Sequence, residues 1–173
     1  MTERPILFSA EMVRAILKGD KTQTRRVIKP QPPAEAESVS RQLFSQQTPE
    51  FDGAWQWWAG KPQTPITNPL FCPYGKRGDT LCVPETAPRL TLSITNVRVE
   101  RLQDISEDDA RAEGATPATE PPTAAALMTA VGRGAWFMPH RSAFASLWNH
   151  IKGPGAWDAN PWVWVVAFER VKP

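Results

Sequence analysis

The sequence is poor in cysteine, in net charge and in long apolar runs, and each shortage removes a class of protein. Two cysteines, Cys72 and Cys82, are too few for a disulfide framework and fit a reducing compartment. A formal net charge of +2 excludes a polybasic protein that coats nucleic acid non-specifically. No apolar run reaches the roughly 18 residues needed to span a bilayer, and no charged-then-apolar leader opens the chain. The expected location is therefore cytoplasmic, with no membrane partner. No segment repeats. Cys72, Cys82, His140 and His150 are the chain's only cysteines and histidines, with nine residues between the members of each pair. Those gaps match none of the usual zinc spacings. No metal and no cofactor is expected.

What is present describes an ordinary globular chain. Its 173 residues, 41% hydrophobic and 22% charged, suit one domain over 1–173 with enough apolar material for one core. Two counts stand out, 18 prolines and 8 tryptophans. Prolines at that density imply long irregular connections, and tryptophans must be buried or line something.

Local patterns predict a mixed α+β fold. Ile6 to Phe8 reads as a short apolar strand. Ser9 is a good N-cap for a helix whose stripe is Met12, Val13, Ile16 and Leu17, and Gly19 sits where that helix ends left-handed. Lys21 to Ile28, rich in threonine, reads as a strand stopped by Pro30. From about 30 to 74 periodicity is lost, and Phe51 to Trp58 forms a short hairpin arm within that insertion. Gly75 to Asp79 is a turn, followed by a strand over Thr80 to Val83 that delivers Glu85. Leu90, Leu92 and Ile94 alternate on one parity and Val97 and Val99 on the other, which predicts a bulge near Thr95 and Asn96. Ser106 starts a short acidic helix ending at Gly114. A second proline-rich insertion spans about 116–139. Phe144, Leu147, Trp148 and Ile151 recur at helical spacing, and Trp162 to Phe168 is apolar on both faces, as in an interior strand. A small, partly closed β-barrel with flanking helices satisfies this pattern.

The chemistry-bearing stretch is Gly19 to Arg26. It places Lys21, Arg25, Arg26 and two threonine hydroxyls together straight after a helix. Such a set can hold an anion, grip a nucleobase carbonyl, or pair a nucleophile with an amine base. It can equally be a solvated edge of strand formers and charges. Lys21 and Thr24 lie three apart, so a flat strand would aim them to opposite faces. Joint action requires a turn or bulge between them.

Gly19-x-Lys21-x-x-x-x-Arg26 resembles the signature of the ASCH domain, a relative of the PUA fold. The preceding helix, Gly78-Asp79-Thr80-Leu81, the helix from Ser106 to Gly114 and the closing Phe168-Glu169-Arg170-Val171 follow in the family's order. Gly155-x-Trp157-Asp158-x-Asn160-Pro161-Trp162 is similar to the longer members found in phage and prophage genomes. The resemblance implies a PUA-like barrel of antiparallel or mixed strands, with the two insertions as loops. It also implies a cleft for RNA or a nucleobase-like ligand beside the signature. Some small members are metal-independent amidohydrolases that remove the acyl group from N4-acetylcytidine, using a lysine, a threonine and a glutamate.

Lys21 and Thr24 fall on the matching positions. The glutamate of those enzymes lies on the strand corresponding to Leu90–Val99, where this chain has Ser93 and Asn96, so Glu85 on the preceding strand is the candidate. Glu85 can also be a structural partner of Arg25 or Arg26. Gly19, Arg25 and Arg26 are candidates for holding the ligand. Trp57, Trp157 and Asn160 are candidates for its rim, although Trp57 can instead pack the arm onto the barrel. The expected partner is a small nucleobase or nucleoside substrate, with RNA as the alternative, and the expected state a monomer or weak dimer.

Overall fold

The computed structural model describes residues 3–41, 53–60, 64, 65, 67–84, 86, 87, 89–117 and 139–171. It is mixed α+β, as the patterning predicts, and the chain divides into two compact units. The first comprises Met1–Phe8, Arg25–Glu100 and Pro161–Pro173; the second comprises Ser9–Thr24 and Arg101–Asn160. Among the described residues no helix is long and apolar enough to cross a membrane.

The first unit is built on sheets. Its strands are β1 (Glu3–Pro5), β2 (Gln23–Val27, which begins in the second unit), β6 (Thr80–Val83), β7 (Leu90–Arg101) and β8 (Trp162–Arg170), in the order β1-β6-β7-β8-β2. The sheet is mixed, because β1 runs parallel to β6 while β7 runs antiparallel to it. The first strand lies three residues earlier than the apolar run Ile6–Phe8 predicts. Its register, Glu3↔Thr80 through Pro5↔Cys82, is set by backbone pairing, and Ile6 adds one more bond, its N–H donating to the Cys82 carbonyl at 2.9 Å. β8 is covered on both faces, with Trp162, Val163, Trp164, Val165, Val166 and Phe168 all buried. That matches its unbroken apolar sequence and its place inside the sheet. Along β7 the alternation of buried and half-buried residues stops at Thr95 and Asn96, two successive exposed positions.

The stretch from Pro30 to Pro73, aperiodic in sequence, carries a second sheet. In it β3 (Ser38–Arg41), β4 (Trp55–Ala59) and β5 (Thr64–Pro65) pair antiparallel in that order. Its tryptophans pack against those of β8. Trp55 meets Trp164 edge to face with ring centres 6.1 Å apart, and Trp57 meets Trp162 at 6.3 Å and 84°. Edge-to-face pairs add roughly 0.5–1.5 kcal/mol each beyond burial. The arm is therefore held by aromatic contact, which periodicity does not reveal.

The second unit is helical. α1 (Ala10–Lys18) starts at Ser9, whose hydroxyl accepts the Met12 N–H at 3.4 Å, and ends on Gly19 in the left-handed region. α2 (Glu107–Ala112) starts at Ser106, whose hydroxyl accepts the Asp109 N–H at 3.0 Å. α3 spans Pro139–Lys152, with proline at the first helical position, where its missing N–H costs nothing. The side chain of Glu107 caps α3, accepting the N–H of His140 at 2.7 Å and of Arg141 at 2.9 Å. From α3, Phe144 and Trp148 are buried while Ile151, placed on the apolar stripe by its spacing, is 57% exposed. It is the next-to-last residue of the helix, beyond the packed part. Of the second proline-rich insertion, residues 118–138 lie outside the described residues.

Truncating Leu92, fully buried on β7, should cost about 2–5 kcal/mol. Ile151→Ala should stay within about 0.5 kcal/mol of the unmutated protein. Urea denaturation midpoints compare the two, and a large loss at Ile151 would show that it is packed.

Candidate functional site

The decisive group is Lys21. The chain leaves α1 through Gly19, and the N–H groups of Asp20 and Lys21 both donate to the Ala15 carbonyl, at 2.9 and 3.2 Å. Lys21 then forms an isolated antiparallel bridge to Glu113 at the end of α2, and the Thr22 N–H donates to the Ala112 carbonyl at 2.8 Å. The Lys21 ammonium donates to Oε2 of Glu113 and to the Glu113 carbonyl, each at 2.8 Å. Both side chains are almost fully buried, at 3% and 4% exposure.

Gly114 makes this approach possible. It adopts φ +79°, and a Cβ there would come within 3.2 Å of the Lys21 Cβ and 3.4 Å of the Ala15 Cβ. Any larger residue would be strained in conformation and would press on the lysine stem.

The strand that carries Thr24 begins only at Gln23. Burial runs Lys21 buried, Thr22 exposed, Gln23 and Thr24 both buried, so the period-two alternation breaks between Lys21 and Thr24. Gln23 is fixed by its side-chain amide, which donates to the Asp109 carbonyl at 2.9 Å. A groove of about 360 Å³ lies in the same unit, lined among others by Ala15, Asp20, Gly114 and Ala115. Asp20 and Gly114 are chain neighbours of Lys21 and Glu113, but Lys21, Thr24 and Glu113 do not themselves line the groove. Its size falls in the range of small-molecule sites.

The remaining sequence candidates are placed as follows. The Arg25 side chain is fully buried and paired with Glu100, whose other oxygen accepts from Arg98 Nε at 3.1 Å. Arg26 donates from Nη2 to the Leu7 carbonyl at 2.6 Å and lies over the Phe8 ring at 5.3 Å. Trp57 is buried in the arm at 2% exposure. Asn160 accepts the Gln103 N–H on its side-chain oxygen at 2.8 Å, and its own carbonyl accepts from Arg101. Trp157 is half-buried, with the Arg141 guanidinium 5.5 Å from its ring centre and Phe144 edge-on at 6.3 Å. Gly19 serves as the C-cap of α1. Glu85 lies outside the described residues.

Sequence reasoning missed Glu113. A signal for it does exist. Glu113 follows the last residue of a short helix, where the macrodipole disfavours negative charge, so a cation has to be close by.

No protein-family model matches the sequence, and no curated protein aligns with it. Among solved structures, one similar to this chain is an ASCH domain from Lactobacillus crispatus JV V101, the family whose motifs the sequence resembles. The two are 13% identical, over 98% of this chain and 79% of that one, with a TM-score of 0.42. The hypothetical protein PH0355 is 10% identical over 98% of this chain and all of its own, at a TM-score of 0.44. Protein EF3133 from Enterococcus faecalis V583 is 14% identical over 99% and 80%, at 0.42. Overlays of this size carry no residue role across.

Removing one member of a buried pair strands the other as an uncompensated charge, at a cost of about 3–5 kcal/mol. Lys21→Met should therefore destabilise the protein by that amount in urea denaturation. Lys21→Met with Glu113→Leu, which removes both charges, should recover most of the loss. Equal destabilisation by the single and double variants would contradict the pairing.

Proposed function

We propose that Lys21, Thr24 and Glu113 form the reactive centre of a metal-independent amidohydrolase that removes the acyl group from N4-acylated cytosine or cytidine. The observation that carries this reading is the buried Lys21–Glu113 pair at 2.8 Å. It supplies the carboxylate partner that the lysine and threonine lack in the sequence. In such a pair a proton can pass between the partners. With the proton on Glu113, Lys21 is a neutral amine and can take the hydroxyl proton of Thr24. The Thr24 oxygen then attacks the acyl carbon, and the tetrahedral intermediate collapses as the pair returns a proton to the N4 leaving group. Water, deprotonated by the same amine, then attacks the acyl carbon, and the amine passes that proton to the departing Thr24 oxygen, which restores the hydroxyl and releases the acyl group as a carboxylic acid.

A second reading, a non-catalytic module for RNA or a modified nucleobase, is favoured by one feature. The Lys21 ammonium already donates to two oxygens of Glu113 and is 3% exposed, which also suits a purely structural role.

Incubation with N4-acetylcytidine, followed chromatographically for cytidine, separates the two. The enzyme reading expects turnover by the unmutated protein and a loss of about 100-fold or more in Thr24→Val and Glu113→Gln. Circular dichroism checks that each variant is folded, and Thr24→Ser should retain part of the activity. Absence of turnover by the unmutated protein sinks the enzyme reading for this substrate. Salt-dependent retention of RNA, weakened in Arg26→Ala, would then support the binder.

A further inference from the structure

We propose that Arg41, Lys76 and Arg77 form a binding site for a phosphate group, at the mouth of a small cleft in the sheet unit. Among the described residues the cleft is lined by these three cations together with Gly53, Trp55, Cys72, Gly75 and Val97, with no carboxylate. All three cationic residues are exposed. Among the described residues none of the three has an ion-pair partner, whereas Arg25, Arg89 and Arg98 of the same unit are each paired with a glutamate.

The backbone that presents them is fixed. Arg41 is the register partner of Trp55 in the three-stranded sheet. Trp55 is held in turn by reciprocal backbone bonds with Leu70, 2.8 Å in each direction. Lys76 and Arg77 sit on the turn between Cys72 and Asp79, closed by the Gly75 N–H donating to the Cys72 carbonyl at 3.1 Å and the Asp79 N–H to the Lys76 carbonyl at 3.0 Å. The nearest acid on this turn is turned inward. Asp79 is 9% exposed, and its Oδ2 accepts the Lys76 N–H at 3.2 Å. Gly75, at φ +112°, must be glycine, because a Cβ would lie 2.8 Å from that same oxygen. The carboxylate thus shapes the turn from beneath while the two cations face out.

Cys72 adds no negative charge either. Burial pushes its thiol up to about 11, so it stays protonated at neutral pH. The cleft itself has room for only about 10 Å³, roughly one water. A bound anion therefore sits at its mouth, among the cationic side chains. Two guanidinium groups offer paired donors suited to phosphate oxygens, and an ammonium adds a point charge. The phosphate can come from a free nucleotide or from a single-stranded nucleic acid. The site is independent of the hydrolase reading and stands or falls separately from it.

The test uses cytidine 5′-monophosphate, cytidine and a short labelled oligodeoxythymidylate, with calorimetry and fluorescence anisotropy. The monophosphate, the strand or both should bind, while cytidine should not. The combined Arg41→Gln, Lys76→Gln and Arg77→Gln variant should lose this binding while its urea midpoint is unchanged. Strand affinity should fall against salt with a log–log slope near −0.7, about 0.7 for the one phosphate held. That is roughly threefold between about 50 and 200 mM, and the triple variant should lose this dependence. Displacement of the strand by monophosphate assigns the site to free nucleotides, and strand binding that resists displacement assigns it to the polymer. Equal binding by the triple variant, equal binding of cytidine and its monophosphate, or no binding of either phosphate ligand overturns the proposal.

Discussion

An ammonium group cannot leave water without a partner, and in the helical unit that requirement organises everything nearby. Lys21 is removed from solvent only because Glu113 meets it with a carboxylate oxygen and a backbone carbonyl at once. Glu113, for its part, stands at the end of α2, where the helix dipole opposes its charge and the lysine offsets both. The surrounding bonds hold these two residues in register. Ala15 receives the N–H groups of Asp20 and Lys21, Ala112 receives that of Thr22, and Gln23 reaches the carbonyl of Asp109. Gly114 supplies the missing volume. A buried pair of this kind contributes little net stability compared with an apolar replacement, but it fixes geometry, and one partner cannot change alone.

The sheet unit relies on a different kind of force. β8 is buried on both faces, and the arm of β3, β4 and β5 is held against it through Trp55–Trp164 and Trp57–Trp162. Burial of apolar surface is largely non-directional, so it can anchor a proline-rich segment that, among the described residues, shares no strand pairing with the main sheet. Polar order is confined to a few points, such as Glu100 shared by Arg25 and Arg98. Arg25 is therefore bound to a structural partner, and Arg26, half-buried over Phe8, is the more open of the two.

Legibility in the sequence followed the range of the interactions. Local signals were plain: Ser9 and Ser106 cap helices as their side chains dictate, Gly19 ends α1, and the unbroken apolar run from Trp162 marks an interior strand. The stripe through Phe144 and Trp148 was legible too, although its last member, Ile151, points to solvent. The first strand was displaced because pairing with Thr80–Cys82, more than 70 positions away, sets its bounds. The three-stranded sheet was hidden because its strands are short and it is held to β8 through tryptophan contacts. The candidate site was half visible. Lys21 and Thr24 stand out by type and spacing, but their carboxylate neighbour lies 92 positions on. Only the awkwardness of an acid at a helix C-terminus hinted at it.

The cap on α3 has a consequence for how this chain tolerates change. Glu107 holds the first N–H groups of the helix, and a ring nitrogen of His140 bonds the Ala115 carbonyl at 2.8 Å. The chain is thus pinned to itself on either side of the sequence between Pro117 and Pro139. Closing such a stem costs an entropy that grows only with the logarithm of the length enclosed. The start of α3 and the Lys21–Glu113 contact are thus both held by residues outside that stretch.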